Sequence, residues 1–353
     1  MTIITGTGSY IPNARILNSD FLKSTFYETN GSALLKDSLT ITEKFSEITG
    51  IRERRYAERE QVASTLGIIA GERALDAANT DRESIDYIIV AHNFGDVAPG
   101  SNRVNLVPSL ASKIKAGLGI TNPDCVAYDL AFGCPGWVEG VIQANYYLRS
   151  GDITKCLVIG TETLSRVIDP HDRDSMIFSD GAGAAVLERS DVKGRGILSH
   201  KTQTFAVDYA ELINMKKSNF PSATGSDLYI KMDGRKVYEF ALNYVPLVIK
   251  AALDKAALHV DDIKMILIHQ ANEKMNNAIG ERLLRLYSSK IELADIMPLT
   301  VGLLGNSSVA TVPTILDMIL KGEITTQKIE NGDKVVLASV GAGMNINAVV
   351  YAF

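Results

Sequence analysis

Short β-branched runs alternate with long amphipathic helices along the whole chain, and this alternation restricts the fold more than any other feature. The stretches Val62–Ala78 and Tyr238–Ala257 place apolar residues three and four positions apart, as a helix with one buried face does. Short continuous apolar runs are typical of strands buried on both faces of a mostly parallel sheet. The candidate strands are Asp86–His92, Cys156–Gly160, Lys264–His269 and Lys334–Val340. The pattern predicts an α/β fold with helices on both sheet faces.

The order of elements repeats once, which suggests two similar halves. Each half contains a strand, a turn of small residues, a long helix, another strand and a glycine-rich segment, at 180–183 and 341–343. A length of 353 residues agrees with two units of about 150 residues. We therefore expect halves spanning residues 1–195 and 196–353. Three irregular stretches are expected to be loops near a ligand site or an interface: Thr25–Leu39, Phe94–Val107 and Asp169–Arg173.

Charge and cysteine content exclude several classes of protein. Lys and Arg total 36 against 41 Asp and Glu, and the net charge of −5 argues against a general nucleic-acid binder, though not against a local basic patch. No apolar run approaches the roughly 18 residues of a membrane helix, and the segment Met1 to Pro12 does not look like a signal peptide. Three cysteines without a C-x-x-C pair and five scattered histidines predict a cytoplasmic protein with no disulfide framework and no metal site.

Cys134 lies in the sequence Asp-Leu-Ala-Phe-Gly-Cys-Pro-Gly-Trp, where a strand at Cys125–Leu130 turns into a helix that Pro135 is suited to begin. The thiolate is the nucleophilic form of cysteine, and a helix N-terminus stabilises it by at most about 2 kcal/mol, or about 1.5 pKa units. A second group, such as a histidine, is needed to lower the pKa further. Cys125 and Cys156 lie within strands or at their start and are interpreted as small buried hydrophobes.

His269 and Asn306 are the other candidate catalytic residues. His269 ends a predicted strand, and the carboxyl ends of strands are where α/β folds place their sites. Asn306 lies in a turn bracketed by glycines before a helix. Both side chains could direct hydrogen bonds at one oxygen. Taken alone, a histidine at a strand end is more often structural, and an asparagine in a glycine turn is more often a turn residue.

The chain resembles the β-ketoacyl-acyl-carrier-protein synthase III family of thiolase-fold condensing enzymes, nearly from end to end. Each shared motif is weak alone, but their common order and spacing are specific. The motifs are Gly6-Thr-Gly-Ser-Tyr-Ile-Pro12, Thr49-Gly-Ile-Arg-Glu-Arg54, the Cys134 segment, Asp169-Pro-His-Asp-Arg173, Asp180-Gly-Ala-Gly-Ala-Ala-Val186, His269-Gln-Ala-Asn272 and Gly305-Asn-Ser-Ser308. The resemblance implies a five-layered α/β/α/β/α fold built from two similar halves, a homodimer, and a catalytic triad of Cys134, His269 and Asn306.

The resemblance also implies a reaction in two steps. Cys134 takes an acyl group from a thioester, and the oxyanion meets the backbone N–H groups of Cys134 and Ala342. A malonyl thioester then loses carbon dioxide, and the resulting enolate attacks the acyl group. His269 and Asn306 would donate hydrogen bonds to the enolate oxygen. No metal or redox cofactor is implied, and the substrates are thioesters of acyl carrier protein or of coenzyme A.

The sequence departs from the family pattern near the expected substrate site. Positions that carry a Trp and an Arg in enzymes primed by acetyl coenzyme A hold Lys44 and Ile48 here. Val340 replaces a Phe that is thought to aid decarboxylation, and Val107 occupies a position often held by Phe at the end of the acyl pocket. By the resemblance, the residues expected to contact substrate are Arg173, Val107, Val340 and Asn272.

Acyl carrier proteins are acidic, and this chain is also acidic overall, so docking needs a local basic patch. The candidates are Lys274, Arg282, Arg235 and Lys236. A charge cluster on a helix is often only solvated, and that interpretation stays open for these four residues.

Two other functions are compatible with these residues. One is a secondary-metabolism relative that joins longer acyl units, or transfers acyl groups without decarboxylation. The other is a silent partner subunit or carrier-binding scaffold, although such subunits typically lose the nucleophile that Cys134 provides here. The principal expectation is a condensing enzyme that forms a β-ketoacyl thioester from a Cys134-bound acyl group in fatty acid or related biosynthesis.

Overall fold

A computed structural model describes all 353 residues of the chain. The strands in chain order are β1 (Thr2–Tyr10), β2 (Ala14–Leu17), β3 (Glu53–Tyr56), β4 (Tyr87–His92), β5 (Asp96–Val97), β6 (Val104–Asn105), β7 (Val126–Ala131), β8 (Lys155–Thr163), β9 (Asp180–Arg189), β10 (Gly196–Thr204), β11 (Ile213–Lys216), β12 (Tyr229–Met232), β13 (Met265–Ile268), β14 (Lys334–Gly341) and β15 (Asn345–Ala352). The α-helices are α1 (Ser38–Thr49), α2 (Ala63–Ala77), α3 (Leu110–Gly117), α4 (Gly136–Ser150), α5 (Ala206–Tyr209), α6 (Gly234–Lys255), α7 (Glu273–Leu286), α8 (Leu293–Ile296), α9 (Val301–Leu304) and α10 (Thr311–Leu320).

Two mixed sheets form the framework. The first has the order β1-β9-β8-β4-β7 and the second has the order β10-β15-β14-β13. In each sheet the first two pairings are antiparallel and the next is parallel. The two halves therefore share one strand topology. The proposed division between residues 195 and 196 falls between β9 and β10.

The prediction of a mostly parallel sheet is wrong, and the reason lies in the glycine-rich segments. Residues 180–183 are the start of β9, which runs antiparallel to both of its neighbours. A Cβ on Gly183 would lie 2.7 Å from the Pro313 side chain, so the small residues of β9 allow α10 to approach closely. A run of glycine and alanine lacks the β-branched pattern by which a strand is recognised in sequence.

The helices complete five layers. Helices α2 and α3 cover the outer face of the first sheet, and α6 and α7 cover the outer face of the second. Helices α4 and α10 lie between the sheets, where Trp137 is fully buried. Each fully buried large apolar side chain of this kind contributes about 1.5–3 kcal/mol. This is the α/β/α/β/α arrangement expected from the resemblance.

The fold brings the ends of several parallel strands to one place. Cys134 follows β7, Asn93 follows β4, and His269 follows β13. Ala342 follows β14, which pairs in parallel with β13. Since carboxyl ends of parallel strands meet at the same sheet edge, these four residues from distant parts of the chain converge on one site.

Candidate active site

Cys134 lies at a tight connection between β7 and α4. Pro135 precedes the helix with φ −69°, and α4 ends at Gly151, whose φ of +91° is left-handed. The backbone N–H groups of the first helical turn therefore point toward the region of Cys134, which favours negative charge there. The Cys134 side chain is half-buried, whereas Cys125 and Cys156 are buried. Among the three thiols, only Cys134 is accessible.

Two glycines allow the turn after β14 to pack against this connection. A Cβ on Gly341 would lie 2.7 Å from the Cys134 nitrogen, and a Cβ on Gly133 would lie 2.9 Å from the Ala342 nitrogen. Gly133 also has φ +69°, a conformation that disfavours other residues. The backbone of Ala342 consequently lies beside the backbone of Cys134. The two backbone segments therefore lie close together in the cavity wall.

His269 is buried, and its Nδ1 lies 2.7 Å from the Thr311 Oγ1. The Thr311 hydroxyl donates its single proton to the Ser308 carbonyl at 3.0 Å. Both contacts are satisfied when Nδ1 carries the imidazole proton and donates to Thr311. The Nε2 of the neutral ring is then an acceptor. Burial lowers the pKa of His269 to about 4, so the ring is neutral at pH 7 in the empty site.

Asn306 is held in one orientation by the backbone. Its Oδ1 accepts a hydrogen bond from the Ser308 nitrogen at 2.8 Å. The amide nitrogen is therefore the end that remains for a ligand, and it can only donate. Thus Asn306 offers a fixed donor, whereas His269 can donate from Nε2 only after it gains a proton.

The three residues line one cavity of about 790 Å³. Apolar side chains from α1, β12 and α6 form much of its wall, including Ile41, Phe45, Ile230 and Val237. A cavity of this size and character suits a small molecule with an apolar chain. Cationic side chains also line the cavity and can pair with phosphate groups: Lys36, Lys44, Arg173 and Arg235.

Three of the four residues expected to contact substrate line this cavity, namely Arg173, Asn272 and Val340. Arg173 is partly neutralised by Glu28 at 3.5 Å, and the Asn272 Oδ1 caps α7 by accepting from Met275, so only its amide nitrogen is available. Val107 does not line the cavity.

Val107 is a separate case, and its assignment to the acyl pocket remains a prediction. Its side chain is 86% exposed on the loop that follows β6.

Burial raises the pKa of the Cys134 thiol to about 11, so desolvation outweighs the groups that stabilise the thiolate. The group that hydrogen-bonds to the thiol is Ser308, while His269 lines the same cavity. The Ser308 hydroxyl donates to the Cys134 sulfur at 3.2 Å, which lowers the pKa of the thiol. Ser308 lies within the Gly305–Ser308 motif, but a serine in a turn is common and carries no catalytic signal of its own.

Two other residues near the thiol have no sequence signal of their own. Asn93 bonds to Ser308 and to Glu162, a carboxyl group that is 1% exposed. Burial raises the pKa of Glu162 to about 7. The four remaining histidines lie outside the cavity lining, and His92 is buried beside Asp129 at 3.0 Å.

No group of three or more His, Cys, Asp or Glu side chains is placed to hold a metal ion. None of the helices combines the length and the apolar character that crossing a membrane requires.

Family models for 3-oxoacyl-[acyl-carrier-protein] synthase III match the chain in two parts. The model of that name matches residues 128–205, and the model of its C-terminal region matches residues 253–353. A β-ketoacyl-[acyl-carrier-protein] synthase III from Sphingopyxis alaskensis is 35% identical over 351 residues, which cover 99% of this chain and 98% of the relative. The match therefore extends across both halves.

Solved structures agree with the sequence comparison. The synthase III of Thermus thermophilus superimposes with a TM-score of 0.81 at 30% identity, over 99% of both chains. The Aquifex aeolicus synthase III gives a TM-score of 0.81 at 27% identity, over all of both chains. With the fold, the two-half topology and the full-length identity in agreement, the chain belongs to the 3-oxoacyl-[acyl-carrier-protein] synthase III family, the condensing acyltransferases of fatty acid biosynthesis.

Proposed function

We propose that Cys134, His269 and Asn306 carry out the decarboxylative condensation of this family, with Cys134 as the acyl carrier. The observation that carries the proposal is the convergence of these residues from three separate segments on one cavity. Cys134 is the accessible thiol, Asn306 presents a fixed donor, and His269 presents Nε2. The arrangement supplies a nucleophile and polar groups for a developing oxyanion.

In the first step the Cys134 sulfur attacks the carbonyl carbon of an acyl thioester. The carbon–sulfur bond to the donor breaks, the donor leaves as a thiol, and it takes up the proton that Cys134 gave up. The Cys134 N–H donates to no backbone carbonyl in the chain and lies beside Ala342. These two N–H groups would hold the oxyanion of the tetrahedral intermediate.

In the second step a malonyl thioester loses carbon dioxide, and the electron pair of the broken bond forms an enolate. Asn306 donates to the enolate oxygen from its amide nitrogen. The malonyl carboxylate brings negative charge close to His269, and such a charge raises the pKa of a histidine. The imidazolium then donates from Nε2. The enolate carbon attacks the acyl group on Cys134, and the thiolate leaves. Electron pairs move only among the two substrates and Cys134, so no oxidant or reductant is needed and the steps balance without a redox cofactor.

We favour this reaction over the alternative, a relative that joins longer acyl units or transfers acyl groups without decarboxylation. Full-length relatives with 33% and 35% identity are both named synthase III. The retained nucleophile also argues against a silent subunit. A cytoplasmic location forms part of the proposal, because an accessible catalytic thiol stays reduced there.

The acyl carrier protein is the proposed partner at the cavity mouth. Arg235 lines the cavity and is 88% exposed, with Lys236 beside it in the first turn of α6. Lys274 and Arg282 are exposed on α7, which packs against α6. Pairs within the chain, such as Arg235 with Glu239, are exposed and worth little, so the cations remain available to an acidic partner.

A homodimer is also part of the proposal. The segment Val104–Val107 exposes three apolar side chains, and Val104, Leu106 and Val107 are 47, 50 and 86% exposed. An exposed apolar patch of this kind is typical of a protein interface. A two-fold dimer would cover it and could bring Val107 to the partner's cavity.

Intact-mass measurement tests the proposed reaction. The protein is incubated with a panel of acyl coenzyme A and acyl-carrier donors, and then with malonyl-carrier protein. We expect one acyl mass on the chain, its loss on addition of malonyl thioester, and release of a β-ketoacyl thioester with carbon dioxide. Acyl transfer to acceptors without carbon dioxide release would favour the alternative instead.

Charge reversal tests the carrier surface. Lys274→Glu or Lys236→Glu should raise the KM for carrier-protein substrates and leave that for coenzyme A substrates less affected, because neither lysine lines the cavity. Lys290→Glu is a matched control, because this exposed lysine lies beyond the C-terminal end of α7. Equal effects in all three variants would contradict the proposed surface.

A further inference from the structure

A continuous chain of hydrogen bonds connects the thiol to a buried carboxyl group. The Ser308 hydroxyl donates to the Cys134 sulfur at 3.2 Å, and the Asn93 amide nitrogen donates to the Ser308 oxygen at 2.9 Å. The same amide nitrogen donates to Oε1 of Glu162. The Asn93 backbone nitrogen also donates to this oxygen, at 2.7 Å. The chain runs through four segments that are far apart in sequence.

The direction of each bond follows from the chemistry of the groups. The Asn93 backbone N–H donates to Oε1 of Glu162, so this oxygen is an acceptor whether or not the carboxyl group is protonated. The end of the Asn93 amide that faces it must therefore be the NH2 group. Its second hydrogen then points to Ser308. Because the Ser308 oxygen accepts from Asn93, its one proton is left for the sulfur. We propose that Glu162 and Asn93 are positioning residues that direct the Ser308 hydroxyl onto Cys134 and so stabilise its thiolate.

The backbone of Ser308 is an independent observation that supports the proposal. Its φ of +54° is left-handed, which is uncommon for serine and strains the backbone. Asn306 accepts from its nitrogen and Thr311 donates to its carbonyl, so both backbone groups are held. The strained residue is 2% exposed and contacts the nucleophile. Strain that persists next to a reactive group is typical of a functional requirement.

Other titratable groups act on the same chain. His92 on β4 and Asp180 on β9 face Glu162. His92 lowers the pKa of Glu162, and Asp180 raises it. Glu162 is the charged group that raises the pKa of Cys134, and His269 lines the same cavity. The charge of Glu162 therefore opposes the thiolate, while its hydrogen bonding through Asn93 supports it. The two effects have opposite signs and can be separated.

The inference rests on Cys134 as the proposed nucleophile, but its test does not require acyl transfer. The rate of alkylation of Cys134 by iodoacetamide is measured across pH and reports the thiolate fraction. Peptide mass identifies the alkylated residue. We expect it to be Cys134, since Cys125 and Cys156 are buried. Wild-type acyl loading is measured separately, so failure of the proposed function and failure of the inference give different results.

Ser308→Ala should slow alkylation about tenfold near neutral pH, because a charge-assisted hydrogen bond is lost. Asn93→Ala should slow it by a comparable factor, and the double variant should be no slower than Ser308→Ala, since both act through one bond. Should Asn93→Ala fail to fold, Asn93→Ser removes the same donor with a smaller cavity. A variant whose effect is only structural should unfold at a lower temperature but keep the wild-type pH dependence of alkylation. Thermal unfolding is therefore measured alongside the pH profile.

Glu162→Gln is the charge control. Two N–H groups converge on Oε1, so the glutamine keeps its oxygen there and the direction of the chain is preserved. Loss of the negative charge should make alkylation faster than in the wild type. Three results would each overturn the proposal. The first is a wild-type alkylation rate in Asn93→Ala or Ser308→Ala, and the second is a multiplied loss in the double variant. The third is slower alkylation in Glu162→Gln than in the wild type.

Discussion

The Nδ1 of His269 donates to the Thr311 hydroxyl over 2.7 Å, while that hydroxyl donates to the Ser308 carbonyl. This pair of bonds determines the tautomer of the histidine and leaves Nε2 as the nitrogen that can meet a ligand. The Thr311 hydroxyl carries no charge, so its effect on His269 is to orient the ring. The resting histidine is neutral because burial lowers its pKa to about 4.

Thr311→Val tests this orientation. The substitution keeps the side-chain shape but leaves Nδ1–H of His269 without its acceptor in a buried site, which costs about 1–3 kcal/mol. We expect malonyl decarboxylation to fall about tenfold or more, in proportion to that cost. Acyl loading of Cys134 should fall less. Thr311→Ser keeps the hydroxyl and should retain most activity, and equal loss in both variants would contradict the assignment.

Cys134→Ala should abolish acyl transfer to the protein, because the accessible nucleophile is removed. Intact mass after incubation with an acyl donor provides the measurement. Cys125→Ala is the matched control, since this residue is 2% exposed and does not line the cavity. It should gain one acyl mass as the wild type does. An acyl mass on Cys134→Ala would show that another residue is the nucleophile.

His269→Ala and Asn306→Ala should affect the two steps unequally. The loss of one donor to an oxyanion typically costs about 100–1000-fold, and we expect this in malonyl decarboxylation. Acyl loading should be less affected, because its oxyanion meets backbone N–H groups that both variants retain. Carbon dioxide release and mass gain measure the two steps separately. Equal losses in both would refute this division.

The two steps should also respond to pH in opposite directions. The pKa of Cys134 is raised to about 11, so its thiolate fraction and the loading rate increase with pH up to that value. The pKa of His269 is lowered to about 4, so its protonated fraction decreases as pH rises above it. The malonyl carboxylate raises this pKa in the complex, so decarboxylation should decline as pH rises above the raised value. His269→Ala should remove the decline, and a decline that persists in this variant would assign it to another group.

Light scattering tests the dimer. The chain has a mass of 38.3 kDa, and the exposed segment Val104–Val107 predicts a particle of twice this mass at micromolar concentration. Leu106→Asp should shift the protein toward the monomer, because burial of an unpaired carboxylate in an interface is costly. Val192→Asp, at a position 57% exposed on another loop, is the control. A wild-type monomer would refute the dimer.

The alternation of buried runs and amphipathic helices was sufficient to predict the α/β class, because hydrophobic periodicity is local and follows directly from residue order. The Cys134 connection was predictable for the same reason, since Pro135 and Gly136 act on their immediate neighbours. His269 and Asn306 were assigned by the resemblance of whole motifs, and the structure places both in the cavity with Cys134.

Only the tertiary structure decided the rest. The direction of β9 depends on which strands lie beside it, and its small residues carry no signal of that direction. The partner of the Cys134 thiol is Ser308, which is 174 residues away, and only the fold shows that Val107 is exposed and outside the cavity lining of its own chain. Hydrogen bonds and desolvation act through space, so the polarity of the site and its pKa values arise only when distant segments are packed together.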